Sequence, residues 1–182
     1  TIVRCELGGK EDSLLVVSEI NEPKMPIAMD EFKIKAASKK WNTTLIPPTE
    51  SDNAKLTFSY SVQRNPYIQL TDMRLYSLPK AISLTFNTNT AKFSSVMFAV
   101  KANNEPTTTY VEKNNIKSGV DQTIELEFAD VLNTATDIST YPLVLDYIKF
   151  NISTEIEKMD HVVDIKALQL IYDETYTSPM SE

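Results

Sequence analysis

Few side chains in this 182-residue chain are of the types that make or break covalent bonds. There is one cysteine, Cys5, and one histidine, His161. A lone thiol excludes an internal disulfide and a thiolate zinc site. Cys5 falls in an alternating run, which suggests a small buried side chain. A Ser-His-Asp relay would have to use His161 as its base. His161 follows Asp160 just ahead of an apolar run, where a solvated residue at the start of a strand is expected. Carboxylates remain. Glu125 and Glu127, two apart on a strand, would share one face about 7 Å apart. That falls within the roughly 5–9.5 Å that glycosidase pairs require. They alternate with Ile124, Leu126 and Phe128, however, which makes them the polar side of an ordinary amphipathic strand. No catalytic constellation emerges.

A second chemistry is recognition without bond making. Trp41 is the only tryptophan. Tyr67, Tyr76 and Tyr110 lie at strand ends or in short strands, near Arg64 and Arg74. Sugar rings stack their apolar face on Trp or Tyr, and their hydroxyls take planar partners such as Arg, Asn and Asp. Those six residues are the candidate ligand-binding set. The alternative is burial, with Trp41 sealing one end of the fold and the tyrosines covering sheet edges. Asn42-Thr43-Thr44 and Asn151-Ile152-Ser153 match the acceptor pattern for N-glycosylation, which a bacterial source would leave unused.

What positions these residues is a run of strands. From Lys55 to Leu84 apolar and polar residues alternate: Leu56, Phe58, Tyr60 and Val62, a turn at Arg64-Asn65-Pro66, a second apolar run, Pro79, then Ile82 and Leu84. Period-two alternation broken by turn residues means strands with one buried face. Strands are expected near 55–62, 66–70, 72–76, 80–87, 95–102, 107–112, 121–128, 143–152 and 162–172, with a short one at Thr43–Ile46. The last is the most apolar and is expected to be central and buried on much of both faces. Only Phe128–Asp137 suggests a helical turn, with Asp130 as its cap. The expected fold is an all-β antiparallel sandwich.

Residues 1–22 read as a separate β-hairpin turning at Gly8-Gly9, whose freedom to adopt positive φ suits a tight turn. Residues 23–26, with two prolines nearby, read as a stiff linker. Residues 27–175 form the main domain and 176–182 a frayed polar tail. Such a hairpin is marginal alone, so it packs on the sandwich or belongs to a preceding domain. If Leu14, Val16 and Ile20 bury against the sandwich, it belongs there. Thr1 reads as a boundary inside a longer polypeptide, and no apolar run is long enough to span a membrane as a helix. The net charge of −7 speaks against a nucleic-acid backbone as partner.

The order of features from Asn53 to Glu174 resembles the galactose-binding-like jelly roll of carbohydrate-binding modules, in particular the C-terminal module of surface proteins of gut Bacteroidetes. The resemblance is carried by RLYSLPKAISLTF (Arg74–Phe86), VMFAVKANNEP (Val96–Pro106), YPLVLDYIKFNIS (Tyr141–Ser153) and VVDIKALQLIYDE (Val162–Glu174). Ser77 and Leu78 stand before Pro79, so the glycine usual in that turn is missing. The first twenty residues resemble the closing hairpin of a bacterial Ig-like domain. The resemblance implies a non-catalytic glycan-binding or accessory module of a secreted or cell-surface protein. Its partners would be a glycan and upstream domains of the same polypeptide, among them a phosphodiester glycosidase. A spacer that docks an upstream domain is the other role implied. Modules of this kind often hold a structural calcium, for which Asp30, Glu31 and Asp164 are the candidate ligands. Otherwise these acids are solvated strand-end residues.

Overall fold

The computed structural model describes residues 2–7, 10–15, 24–26, 33–36, 43–59, 65–71, 74–75, 79–101, 109–128 and 142–172, with backbone alone for residues 2–36, Thr71 and Thr109. All its regular elements are strands: β1 (Ile2–Leu7), β2 (Lys10–Leu15), β3 (Lys24–Pro26), β4 (Lys33–Ala36), β5 (Thr44–Ile46), β6 (Ala54–Ser59), β7 (Tyr67–Thr71), β8 (Arg74–Leu75), β9 (Ala81–Asn87), β10 (Phe93–Lys101), β11 (Thr109–Asn114), β12 (Asp121–Glu127), β13 (Leu143–Ile152) and β14 (Asp160–Ile171). Among the described strands β1 and β2 pair with each other alone, Ile2 opposite Leu15 and Leu7 opposite Lys10; Gly8 and Gly9 lie outside the described residues. The side chains of Leu14, Val16 and Ile20, which would locate this hairpin, lie outside the described residues, as do those of Cys5.

The other strands form two antiparallel sheets. The first runs β11-β10-β13-β7-β4, with β8 also on β13. The second runs β12-β9-β14-β6-β5, with β3 also on β14. The sandwich expected from alternation is therefore present. Residues 23–26 depart from the linker reading. Met25 pairs with Leu170 and Pro26 with Gln169, so the segment extends the second sheet. Pro26 lacks a donor, and the open side of a short edge strand tolerates that.

Each sheet is organised on a long central strand, and each central strand carries a β-bulge. On β13, Leu145 lies opposite Val100 and Tyr147 opposite Ala99, which leaves Asp146 as the extra residue. On β14, Ile165 lies opposite Phe86 and Ala167 opposite Thr85, which leaves Lys166. A bulge reverses the side of every residue beyond it. The buried positions accordingly switch from Leu143 and Leu145 to Ile148 and Phe150 on β13, and from Val163 and Ile165 to Leu168 and Leu170 on β14. β14 is central as expected, but only one of its faces is buried; the other carries half-buried and exposed side chains. Its apolar look comes from two alternating runs joined out of phase.

The core is aromatic at its centre. Phe86 of the second sheet meets Phe150 of the first at 5.8 Å, and Phe58 meets Phe93 across the same gap at 5.9 Å. Phe93 and Phe150 lie 5.2 Å apart, and Phe98 contacts Phe128. Burying each such ring stabilises the fold by about 1.5–3 kcal/mol. His161 belongs to this interior. It is 1% exposed, not solvated as expected, and it stacks on Phe58 at 5.3 Å. Its Nε2 lies 2.8 Å from the Glu157 carbonyl oxygen, which only accepts, so Nε2 carries the proton and Nδ1 accepts from the Thr90 hydroxyl at 3.2 Å. Both ring nitrogens are satisfied, which is what allows the imidazole inside. The Phe128–Asp137 turn lies, beyond Phe128, outside the described residues, as does the 176–182 tail.

Candidate functional site

The outer face of the first sheet gathers the aromatic and basic residues. Pairing across the strands sets them in rows. Arg74 and Lys101 both lie opposite Val144. In the next row Gln69, Tyr147, Ala99 and Tyr110 follow one another across β7, β13, β10 and β11. Then come Tyr67, Lys149, Met97 and Glu112. Asn151, Ser95 and Asn114 close the series. Tyr67 and Tyr147 are diagonal neighbours with ring centroids 5.9 Å apart and planes tilted by 57°. Diagonal aromatic pairs stabilise neighbouring strands. Tyr110 stands two strands from Tyr147, about 10 Å at the usual strand spacing. It is 55% exposed, and the small Ala99 lies between the two.

Burial raises the pKa of the Tyr147 phenol, and the neighbouring Asp146, Tyr110 and Tyr67 add to the effect. The hydroxyl therefore stays neutral and keeps both its donor and its acceptor capacity. No hydrogen bond among the described residues engages the three phenol oxygens. No ion pair or hydrogen bond there engages Arg74, Lys101 or Lys149 either.

At the lower end of this face the polar groups are tied together. The Ser95 hydroxyl donates to Glu112 Oε1. Asn151 Nδ2 donates to Ser95 Oγ at 2.7 Å and to Glu112 Oε1 at 3.1 Å. Asn65 Nδ2 donates to Asn151 Oδ1 at 2.9 Å, and Asn65 Oδ1 accepts from the Ile152 amide. This chain fixes Glu112 with one oxygen occupied and fixes both amide planes. A glycan attached at Asn151 would break it.

Of the six candidate binding residues, Tyr67, Arg74 and Tyr110 fall on this one face. Trp41, Arg64 and Tyr76 lie outside the described residues. Tyr147, Lys149, Lys101 and Glu112 were not singled out from sequence, and Asn151 only as part of an N-glycosylation pattern. The bulge at Asp146 brings Tyr147 to this side, since strict alternation from Leu143 would have turned it inward. The signal was present in the spacing of Leu145 and Ile148, three apart where a regular strand would have two.

Glu125 and Glu127 lie on the opposite side of the sandwich, exposed on β12 at the edge of the second sheet. Of the calcium candidates, Asp30 and Glu31 lie outside the described residues. Asp164 accepts from Asn89 Nδ2 at 2.9 Å, the same nitrogen lying 3.0 Å from the Val162 carbonyl. Among the described residues no group of three or more His, Cys, Asp or Glu side chains converges on a metal position. Among them, too, no helix is long and apolar enough to cross a membrane.

No family model matches the sequence, and no curated protein sequence matches it. The fold has solved counterparts. The family 11 carbohydrate-binding module of the cellulosomal cellulase Lic26A-Cel5E of Clostridium thermocellum is 12% identical with a TM-score of 0.50, over 84% of this chain and 98% of that one. The solution structure of CtCBM11 is 15% identical with a TM-score of 0.50, over 86% and 99%. A third structure, concerned with the promiscuous specificity of carbohydrate-binding modules of the β-sandwich superfamily, is 12% identical with a TM-score of 0.53, over 88% of this chain and 67% of that one. The chain shares the β-sandwich fold of these carbohydrate-binding modules.

Proposed function

We propose that the chain is a non-catalytic carbohydrate-binding module and that the outer face of the first sheet is its platform. One observation carries this reading: Tyr67, Tyr110 and Tyr147 are gathered on one sheet face with their hydroxyls unengaged, beside a fixed carboxylate and amide. Such a face offers stacking area and planar acceptors at little conformational cost, because the backbone of a sheet is already ordered. The solved neighbours are named as carbohydrate-binding modules, and one belongs to a cellulase, which supports a polysaccharide over a free sugar. Affinity is expected to be weak, since stacking and a few exposed hydrogen bonds leave little after ordering costs. The module would serve a secreted or cell-surface protein with upstream domains. The β1–β2 hairpin, which pairs with neither large sheet, fits a piece of such a neighbour.

The test is affinity electrophoresis against soluble β-glucan, xylan, mannan and polyuronate. Retardation by at least one polymer is expected, and its loss in Tyr67→Ala and Tyr147→Ala. Free migration in every gel would leave the spacer role in its place. The calcium expectation is tested separately. Asp164 already has its partner in Asn89, so an ion would have to draw on residues beyond those described. A melting temperature unmoved by chelator would dismiss it.

A further inference from the structure

The binding face is cationic on a chain of net charge −7. It carries Arg74, Lys101 and Lys149 against Glu112 and the bulged Asp146. Glu112 is already taken up by Ser95 and Asn151. The three cations have no such partner among the described residues. The backbone register also places Lys33 and Lys35 of β4 opposite Thr71 and Gln69 of β7. On the outer face of the second sheet the balance is reversed, with Asp121, Glu125, Glu127, Asp160 and Asp164 against Lys55 and Lys166, and with Lys24 of β3 opposite Ile171 by backbone register. Long-range charge is thus sorted between the two sides of one thin sandwich.

We propose that the ligand of the tyrosine face is an anionic glycan, a polysaccharide bearing carboxylate or sulfate groups. This rests on the reading of the face as a glycan platform and names its substrate class. Arg74 and Lys101 flank Val144 on the strands either side of β13, about 10 Å apart by strand spacing. Lys149 lies further along β13, beyond Tyr147. A chain laid along β13 meets cations, then the Tyr147–Tyr67 pair, then a cation again. A neutral polymer seated there would strip water from three charges and return only hydrogen bonds to its hydroxyl oxygens. A carboxylate or sulfate returns charge-assisted hydrogen bonds, and the Arg74 guanidinium fits either in a bidentate way. Tyrosines interleaved with cations also suit single-stranded nucleic acid. The net charge of −7 disfavours that partner, because a long polyphosphate would feel the whole field of the chain.

The experiment is calorimetric titration of the full chain with polygalacturonate, the same polymer fully methyl-esterified, dextran sulfate, uncharged hydroxyethylcellulose and oligo-dT. Polygalacturonate or dextran sulfate should bind at least about tenfold more tightly than either uncharged polymer, with the advantage shrinking as salt rises from about 50 to about 500 mM. The stronger of the two anionic arms identifies the group as carboxylate or sulfate. Arg74→Gln and Lys149→Gln should each weaken that binding by about three- to tenfold. Glu125→Gln, on the opposite side, should leave it unchanged. Binding of neither polygalacturonate nor dextran sulfate more tightly than the uncharged polymers would overturn the proposal while leaving a glycan platform standing. Tighter binding of oligo-dT than of any glycan would overturn it in favour of nucleic acid. Silence in all five titrations would remove both the proposal and the platform.

Discussion

The two outer faces of the sandwich are built from the same kind of alternating strand and do opposite things with their polar groups. On the second sheet most are spent on one another, with Glu125 and Glu127 the exceptions among the described acids. Thr85 and Thr123 share a hydrogen bond of 2.9 Å across β9 and β12. Asn87 donates to Asp121 at 2.9 Å, Lys166 reaches the other oxygen of Asp121, Asn89 donates to Asp164, and Ser59 donates to Asp160. On the first sheet the Asn65–Asn151–Ser95–Glu112 chain closes in this way. The phenols of Tyr67, Tyr110 and Tyr147 and the cations of Arg74, Lys101 and Lys149 are left without partners among the described residues. A surface that satisfies itself gains little from a ligand. A surface holding ordered rings and unpaired charges has interactions still to make. That difference, more than the presence of aromatic residues, marks the first sheet as the recognition side.

Strand β13 allows the contrast to be tested within a few residues. Phe150 points inward and meets Phe86 and Phe93. Phe150→Ala should cost about 3–5 kcal/mol of stability, read from urea unfolding, because a buried ring leaves a cavity the two sheets cannot close. Tyr147 points outward on the same strand. Tyr147→Ala should lower polysaccharide affinity by about ten- to a hundredfold while shifting stability by no more than about 1 kcal/mol. If stability fell as far for Tyr147 as for Phe150, the ring would be part of the core and the face would lose its central platform. Alkaline titration sharpens the point. The folded-state pKa of Tyr147 is raised above its ordinary 10.0 by burial first and nearby Asp146 second. Its contribution to stability is therefore full below the ordinary value and is lost as pH rises through the higher folded one. Tyr147 should ionise above its ordinary 10.0.

Ser95 probes the one closed network on the binding face. It is buried and bridges Glu112 and Asn151. Ser95→Ala should cost about 1 kcal/mol and weaken ligand binding as well, since Glu112 and Asn151 would lose their fixed orientation. A loss of stability with binding intact would make the network a staple between β10, β11 and β13 and nothing more.

Much of this was legible from spacing. The strand over 143–152 coincides with β13, and the strands near 80–87 and 121–128 match β9 and β12 to within a residue. Asn89 and Asn115 take positive φ of 51° and 63°, a conformation asparagine adopts more readily than most side chains. Tyr67, Arg74 and Tyr110 could be picked out because aromatic and guanidinium groups are scarce enough to notice. What resisted reading was phase and partner. Alternation does not reveal which side of a sheet faces the core once a bulge intervenes, so Tyr147 and Lys149 went unremarked. Composition does not tell a solvated histidine from one held by the Glu157 carbonyl and Thr90, because those partners lie in the turn before β14 and in the loop after β9. Residues 23–26 read as a linker because two prolines among polar neighbours suggest a stiff connection, yet an edge position beside β14 tolerates Pro26 in a strand.

The smallest expected effect tests the self-satisfied side. The Asp121 carboxyl is held below its ordinary 3.8, first by the hydrogen bond from Lys166 and then by that from Asn87. The folded state thus favours the charged form. Its contribution is present above the ordinary value and is lost as pH falls from there through the lower folded-state value. The group is fully exposed, so salt screens the effect and little stability depends on it. Carbon-detected NMR titration should give Asp121 a midpoint below its ordinary 3.8, with Lys166→Ala raising it more than Asn87→Ala does. An ordinary midpoint in the unsubstituted protein would mean that the bulge at Lys166 does not hold its side chain on Asp121. The second sheet would then have unpaired charges beyond Glu125 and Glu127, and the contrast that singles out the tyrosine face would shrink to the three rings alone.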